Sequence, residues 1–181
     1  MMRGLALLVI LAAITGCSGR LVESKADWER GALDSAERTR ELSVKLPPYP
    51  NDVDLIEFFP GPLRSHHYFI DGKTLDVGSD GIVRYVVVIK AAGGATNVAY
   101  EGIRCRPKEK RTYALGNRGQ SWTELKRSEW ESIQTGRLNE YQGMLHSDYF
   151  CTDPNATPNR ANALRRLRMG LFEEGSPRTS D

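Results

Sequence analysis

The chain has 181 residues, of which 40% are apolar and 27% charged, and its formal net charge is +2. That length suits one domain with a core plus extensions and argues against two independent domains. A balance so near neutral gives no global push toward nucleic acid or an anionic surface, so charge has to be judged locally.

The first element is a leader. Arg3 precedes an apolar run over residues 5–14, and small residues then lead into Ile14-Thr15-Gly16-Cys17, the layout of a secretory signal. The run is too short to span a bilayer as a mature helix. A small-residue site followed directly by cysteine resembles the lipobox of bacterial lipoproteins, which implies that the Cys17 thiol receives a diacylglyceryl group and becomes the new N-terminus. Cleavage before Cys17 leaves 165 residues and lowers the formal charge to +1 by removing Arg3. Ser18 rather than aspartate follows the cysteine, which in the familiar sorting pattern implies release to the outer membrane, here facing the periplasm. The expected membrane partner is therefore reached through lipid on Cys17.

Lipidation also settles the parity of three cysteines, leaving Cys105 and Cys151. In an oxidising periplasm the natural reading is one structural disulfide. A bridge across 46 positions restricts the unfolded chain by about 4 kcal/mol in the loop-entropy description. The alternative, a redox-active pair, lacks the Cys-x-x-Cys spacing that lowers a thiol pKa.

Residues 18–45 are polar and mixed in charge and read as a flexible tether; Trp28 and Leu33 suit one side of a helical piece over 26–41, which Gly31 weakens. Pro47-Pro48-Tyr49-Pro50 stiffens the chain into the domain. Short apolar runs then follow at 55–59, 67–70 and 75–77, closed by Pro60-Gly61-Pro62, Asp71-Gly72 and Ser79-Asp80-Gly81, the chemistry of tight turns. Residues 82–89 place Val83, Tyr85, Val87 and Ile89 on one face and Ile82, Val86 and Val88 with Arg84 on the other. A strand apolar on both faces belongs at the centre of a sheet. Gly93-Gly94 turns it into a strand at 96–103, and 111–115 supplies another.

Beyond Gly116, Trp122, Leu125, Trp130 and Ile133 anchor an irregular stretch; Asn139 caps a short helix with Tyr141, Met144 and Leu145 on one side. Packing that helix on the sheet brings Cys151 toward Cys105. A helical segment at 160–172 and a polar tail complete the chain.

Several motifs in fixed order carry a resemblance: Leu46-Pro47-Pro48-Tyr49-Pro50, Asp54-Leu55-Ile56-Glu57-Phe58, Asp80-Gly81-Ile82-Val83-Arg84-Tyr85, Gly93-Gly94-Ala95-Thr96-Asn97-Val98, Tyr100-Glu101-Gly102-Ile103-Arg104-Cys105, and Trp130 before Phe150-Cys151. Together they resemble the cryptic neisserial protein-like (CNP-one-like) family. The resemblance implies an exported proteobacterial protein of uncharacterised activity, with no catalytic site to transfer; both cysteines match family-type positions. The tether and everything after Thr152 are expected to lie outside the shared region.

Candidate chemistry is sparse. Gly93-Gly94 leading to Asn97, Glu101 and Arg104 suits a ligand contact along one strand edge, or a plain hairpin whose Glu101 pairs with Arg104 or Arg84. Asp76, Asp80 and Gly81 echo a calcium loop but Val87 occupies the position that needs glutamate, so a solvated turn is expected there. His66 and His67 point to opposite faces of a strand, and with His146 they show no metal-ligand spacing; no metal and no cofactor are expected. Eight basic residues between 104 and 127 stand against Glu109 and Glu124, and Arg106, Lys108, Lys110 and Arg111 are the candidates for an anion contact, a solvated loop being the alternative. Leu164, Leu167 and Leu171 recur at helical spacing beside Arg160, Arg165, Arg166 and Arg168, which suits docking on the domain, or a partner-binding helix, in preference to membrane insertion.

The organisation expected is a leader at 1–16, a tether at 17–45, an α+β domain at 46–152 and an extension at 153–181. The fold expected is an antiparallel meander of about five to six strands with one or two short helices packed on it. The function expected is a non-enzymatic binding or assembly factor of the envelope, meeting an envelope protein or an anionic glycan or lipid, with no nucleic acid. An envelope hydrolase using Glu101 with a neighbouring carboxylate (Glu57, Asp71 or Asp54) or histidine is the alternative. If the lipobox is processed, a Cys17→Ser chain takes up no labelled fatty acid in growing cells; undiminished labelling contradicts it.

Overall fold

The computed structural model describes residues 41–60, 66–134 and 141–170. Cys17, the leader, the expected Asn139 cap and Leu171 lie outside them.

Alternating and consecutive valine, isoleucine and tyrosine build β1 (Leu55–Phe58), β2 (His66–Asp71), β3 (Asp76–Val77), β4 (Val83–Ala91), β5 (Thr96–Arg104) and β6 (Glu109–Gly116). Two shorter strands, β7 (Trp122–Glu124) and β8 (Glu131–Ser132), complete one sheet. Every pairing is antiparallel, in the order β1-β2-β4-β5-β6-β7, with β3 beside β4 and β8 beside β6. The meander is as expected, but it has eight strands rather than five to six. The strands the sequence hid, β7 and β8, are three and two residues long and lie on the β6 edge with mostly exposed side chains, so they carry no apolar alternation. Gly94, at φ 85°, closes the β4–β5 hairpin, where its N–H donates to the Ala91 carbonyl at 2.9 Å.

Strand β4 is buried on both sides. Val83, Tyr85 and Val87 face a core shared with Phe58, Ile70, Ile103, Leu145, Tyr149, Phe150, Leu164 and Leu167. The helical elements of that side are α1 (Tyr141–Met144), which continues as a π-helical turn over Leu145–Phe150, and α2 (Arg160–Met169). Asn159 caps α2 by accepting from the Asn162 N–H at 3.2 Å. The α2 leucine stripe docks on the domain, with Leu164 and Leu167 buried, and Arg160 donates to the carbonyls of Leu75 (2.6 Å) and Gly72 (3.0 Å). Cys105, after β5, is bonded to Cys151, after the π turn, with Cα atoms 5.5 Å apart. No helix among the described residues is long and apolar enough to cross a membrane.

On the opposite face Val86, Val88, Val98, Tyr100, Tyr113 and Ala114 form a second cluster. What covers it is residues 41–50, an arm without regular secondary structure whose Val44, Leu46 and Tyr49 pack there. Residues 41–45 were expected in a flexible tether; they are part of the fold.

Alkylation of the purified protein without reductant is expected to find no free thiol at Cys105 or Cys151. Replacing both by alanine is expected to lower unfolding stability by about 4 kcal/mol, read by urea denaturation; an unchanged midpoint counts against the bridge as a stabilising element.

Candidate functional site

Strand alternation sends the candidate ligand residues to different places. Glu101 lies on the helix-covered face, buried, where the Tyr141 hydroxyl donates to Oε1 at 2.7 Å and the Tyr85 hydroxyl to Oε2 at 2.9 Å. The Gln142 amide reaches both carboxyl oxygens at 3.4 Å. Burial pushes the Glu101 pKa up, against the pull of its phenol donors, Lys110 and Gln142. Glu101 pairs with neither Arg104 nor Arg84, contrary to the hairpin expectation, because those guanidiniums sit on the other side of the sheet. Its partners come from 16 and 40 residues away, and no local spacing announces them.

Arg104 lies over the Trp130 ring at 4.1 Å and reaches Glu109 at 3.4 Å. Asn97 stands exposed toward the β4–β5 hairpin. Asn97, Glu101 and Arg104 therefore do not converge on one edge. The anion candidates divide as well. Arg106 is exposed in the β5–β6 turn with Lys108 half-buried beside it, Lys110 faces the Glu101 side, and Arg111 is held by Glu41 at 2.8 Å. Among the histidines, His67 meets Glu57 at 2.7 Å on the sheet edge, and His146 Nε2 donates to the Cys105 carbonyl at 3.3 Å. Burial, with Lys108 nearby, lowers the His146 pKa against that hydrogen bond.

The densest polar constellation was not read from the sequence. On the arm-covered face the Glu41 carboxylate accepts from the Tyr113 hydroxyl at 2.7 Å, Arg111 at 2.8 Å and the Trp130 indole N–H at 3.0 Å, with Arg84 at 3.7 Å. Asp80 takes both terminal nitrogens of Arg84, at 2.6 and 3.1 Å, and accepts from the backbone N–H groups of Leu42 and Ile82. The expected solvated turn is thus a buried ion pair, the Asp80 side chain being 2% exposed. Burial alone disfavours the Asp80 carboxylate, but Arg84 and the two backbone donors outweigh it and hold its pKa down. The one sequence signal for the arm is the alternation Leu42, Val44, Leu46 with Ser43 and Lys45, a strand-like pattern inside a polar stretch.

A half-open depression of about 260 Å³ lies between the π turn and α2, lined by Asp148, Arg165, Arg166, Met169 and Gly170. Among the described residues no group of three or more His, Cys, Asp or Glu side chains is placed to hold a metal ion.

The sequence profile of the CNP1-like family matches residues 34–168. The chain belongs to the CNP1-like family. The match starts before Glu41 and runs through most of α2, so residues 41–45 of the arm and the basic helix belong to the family region instead of lying outside it as expected. No curated protein and no solved structure matches the chain.

In this CNP1-like domain the raised Glu101 pKa has a definite consequence. The folded state holds its proton to higher pH than the unfolded chain, so stability falls as pH rises from the ordinary value of 4.5 through the folded pKa. Denaturation midpoints at pH 4 and pH 7 are expected to show wild type losing stability relative to Glu101→Gln across that window; a constant difference contradicts the assignment.

Proposed function

We propose that this CNP1-like protein is a lipid-anchored component of the bacterial envelope, held in the outer membrane through Cys17, that binds or assembles an anionic envelope partner. Cys17 in its lipobox-like setting supports the anchoring. The observation that carries the binding reading is the division of polar chemistry. The interior carboxylates Glu101, Asp80 and Glu41 are engaged by side chains of the same domain, whereas Arg165, Arg166 and Arg168 stand exposed on the outer face of α2. Helix α2 carries no acid, and Asp148 is the acidic residue lining its depression. Such a face suits lipid phosphates or an acidic glycan.

The hydrolase alternative loses its named acid. Glu101 lies beneath Tyr141 and Gln142, and Asp71 is turned inward to accept from Lys73 N–H at 2.9 Å and Thr74 Oγ1 at 2.8 Å.

A Cys17→Ser chain, free of lipid, is expected to co-sediment with phosphatidylglycerol-containing vesicles at low salt and less with pure phosphatidylcholine. Charge reversal at Arg165, Arg166 and Arg168 together is expected to weaken that binding at least tenfold, given about 1 kcal/mol per basic residue near an anionic surface. Unchanged binding assigns these arginines to solvent.

A further inference from the structure

Helix α2 brings three side chains of one face to the depression beside the π turn. Arg165 and Arg166 stand four and three positions before Met169, the spacings that gather helical side chains into neighbours, and with Gly170 they line the same hollow as Asp148. The helix is anchored through its other face, by Ala163, Leu164 and Leu167, so packing of the domain does not call on the arginines. Asp148 comes from the π turn, in which the Cys151 N–H donates to the His146 carbonyl at 2.8 Å. Its neighbours Tyr149 and Phe150 are buried in the core, while Asp148 itself is half-buried in the wall of the hollow.

The charges here do not satisfy one another. Among the described residues no ion pair or hydrogen bond engages the Asp148 carboxylate, although two arginines share its hollow. Arg165 reaches the Asn162 side chain at 3.3 Å, and Arg166 has no side-chain partner among them. Elsewhere this fold closes such groups on each other, at Arg84–Asp80, Arg104–Glu109 and Arg111–Glu41, with separations of 2.6, 3.4 and 2.8 Å. Arginines near a helix C-terminus are ordinary helix chemistry. An aspartate in the same hollow that meets neither of them is not, and held apart the three present one acceptor and two forked donors to a molecule lying between them.

The arrangement of signs selects the chemistry of that molecule. Two guanidiniums side by side match the several oxygens of a phosphate better than the two of a carboxylate. Asp148 asks for a cation with hydrogens to donate, and the end of α2, closed by the Gly170 N–H on the Arg166 carbonyl at 3.1 Å, adds the negative end of a helix dipole. A hollow of about 260 Å³ is smaller than the roughly 300–1,000 Å³ of sites for drug-sized ligands, so it takes a small group or one end of a larger molecule. Met169, 67% exposed in the same wall, suits a charged end that continues into hydrocarbon.

Building on the reading that the α2 arginines meet an anionic partner, we propose that this depression is a phosphoethanolamine site that takes the headgroup of an aminophospholipid, with the phosphate on Arg165 and Arg166 and the ammonium on Asp148.

Calorimetric titration of the full-length Cys17→Ser chain with soluble headgroups tests the chemistry. O-phosphoethanolamine is expected to bind about fivefold tighter than inorganic phosphate or O-phosphocholine, whose quaternary nitrogen has no hydrogen to donate, a factor in keeping with one charge-assisted hydrogen bond on a half-open surface. Asp148→Asn, which keeps the side-chain shape, is expected to erase this preference while phosphate binding persists; Arg165→Gln with Arg166→Gln is expected to weaken phosphate and phosphoethanolamine alike. Vesicles of phosphatidylethanolamine in phosphatidylcholine are expected to co-sediment more of the chain than pure phosphatidylcholine does, and Asp148→Asn to cancel the gain. A preference that is absent in wild type, or that survives Asp148→Asn, overturns the proposal, whereas binding to phosphatidylglycerol through the arginines stands or falls by its own measurement. Preference for soluble O-phosphoethanolamine with no gain from phosphatidylethanolamine in vesicles overturns the lipid as its source.

Discussion

A strand that is apolar on both sides must be covered on both sides, and β4 imposes this on the whole molecule. Val83, Tyr85 and Val87 on one face and Val86 and Val88 on the other are all buried. A single layer of helices satisfies half of that requirement. The other half recruits residues 41–50, a stretch with no regular structure of its own, so the apolar pattern of one strand dictates that the domain begin before the sheet does.

Each covered face also carries a charge that has to be satisfied in place. Under the helices Glu101 is met by two phenols and an amide, which lessens but does not cancel the cost of burial, and its pKa stays raised. Under the arm Arg84 meets Asp80 at 2.6 Å, and this pair keeps the Asp80 pKa lowered although burial opposes it. At Asp80 a bidentate opposite charge and two backbone donors outweigh desolvation, whereas at the fully buried Glu101 two phenols, an amide and a cation that makes no hydrogen bond to it do not. Both networks draw on residues distant in the chain and thereby lock covers to sheet. Polar chemistry facing outward includes the hairpin end, the β5–β6 turn, Arg118, Lys126 and Arg127, and the arginines of α2.

The two faces also differ in how firmly they are covered. The helix side is stitched by the Cys105–Cys151 bond, by the leucines of α2 and by Arg160 on two loop carbonyls. The arm side relies on one carboxylate, an indole, a backbone amide and apolar packing. Membership of the CNP1-like family extends to both, since the matched region includes the arm and nearly all of α2.

Much of the sheet was legible in the sequence because period-two alternation and Asp-Gly or Gly-Gly turns are local signals: the two-faced pattern of β4, the β4–β5 hairpin and the docking of the α2 leucines all follow from neighbours within a few residues. Parity and compartment likewise pointed to the pairing of Cys105 with Cys151. The tertiary structure alone decided the rest. Two- and three-residue edge strands have no periodicity to read, and a glutamate in a polar stretch looks like tether until Arg111, Tyr113 and Trp130, from 70 to 89 residues away, close on it. The same holds for Glu101, whereas Asp80 takes Arg84 from four residues away and only the Leu42 N–H from a distance of 38. A carboxylate's role depends on which donors the folded chain brings to it, and burial with long-range partners is a property of the assembled sheet and its covers, not of any stretch of sequence.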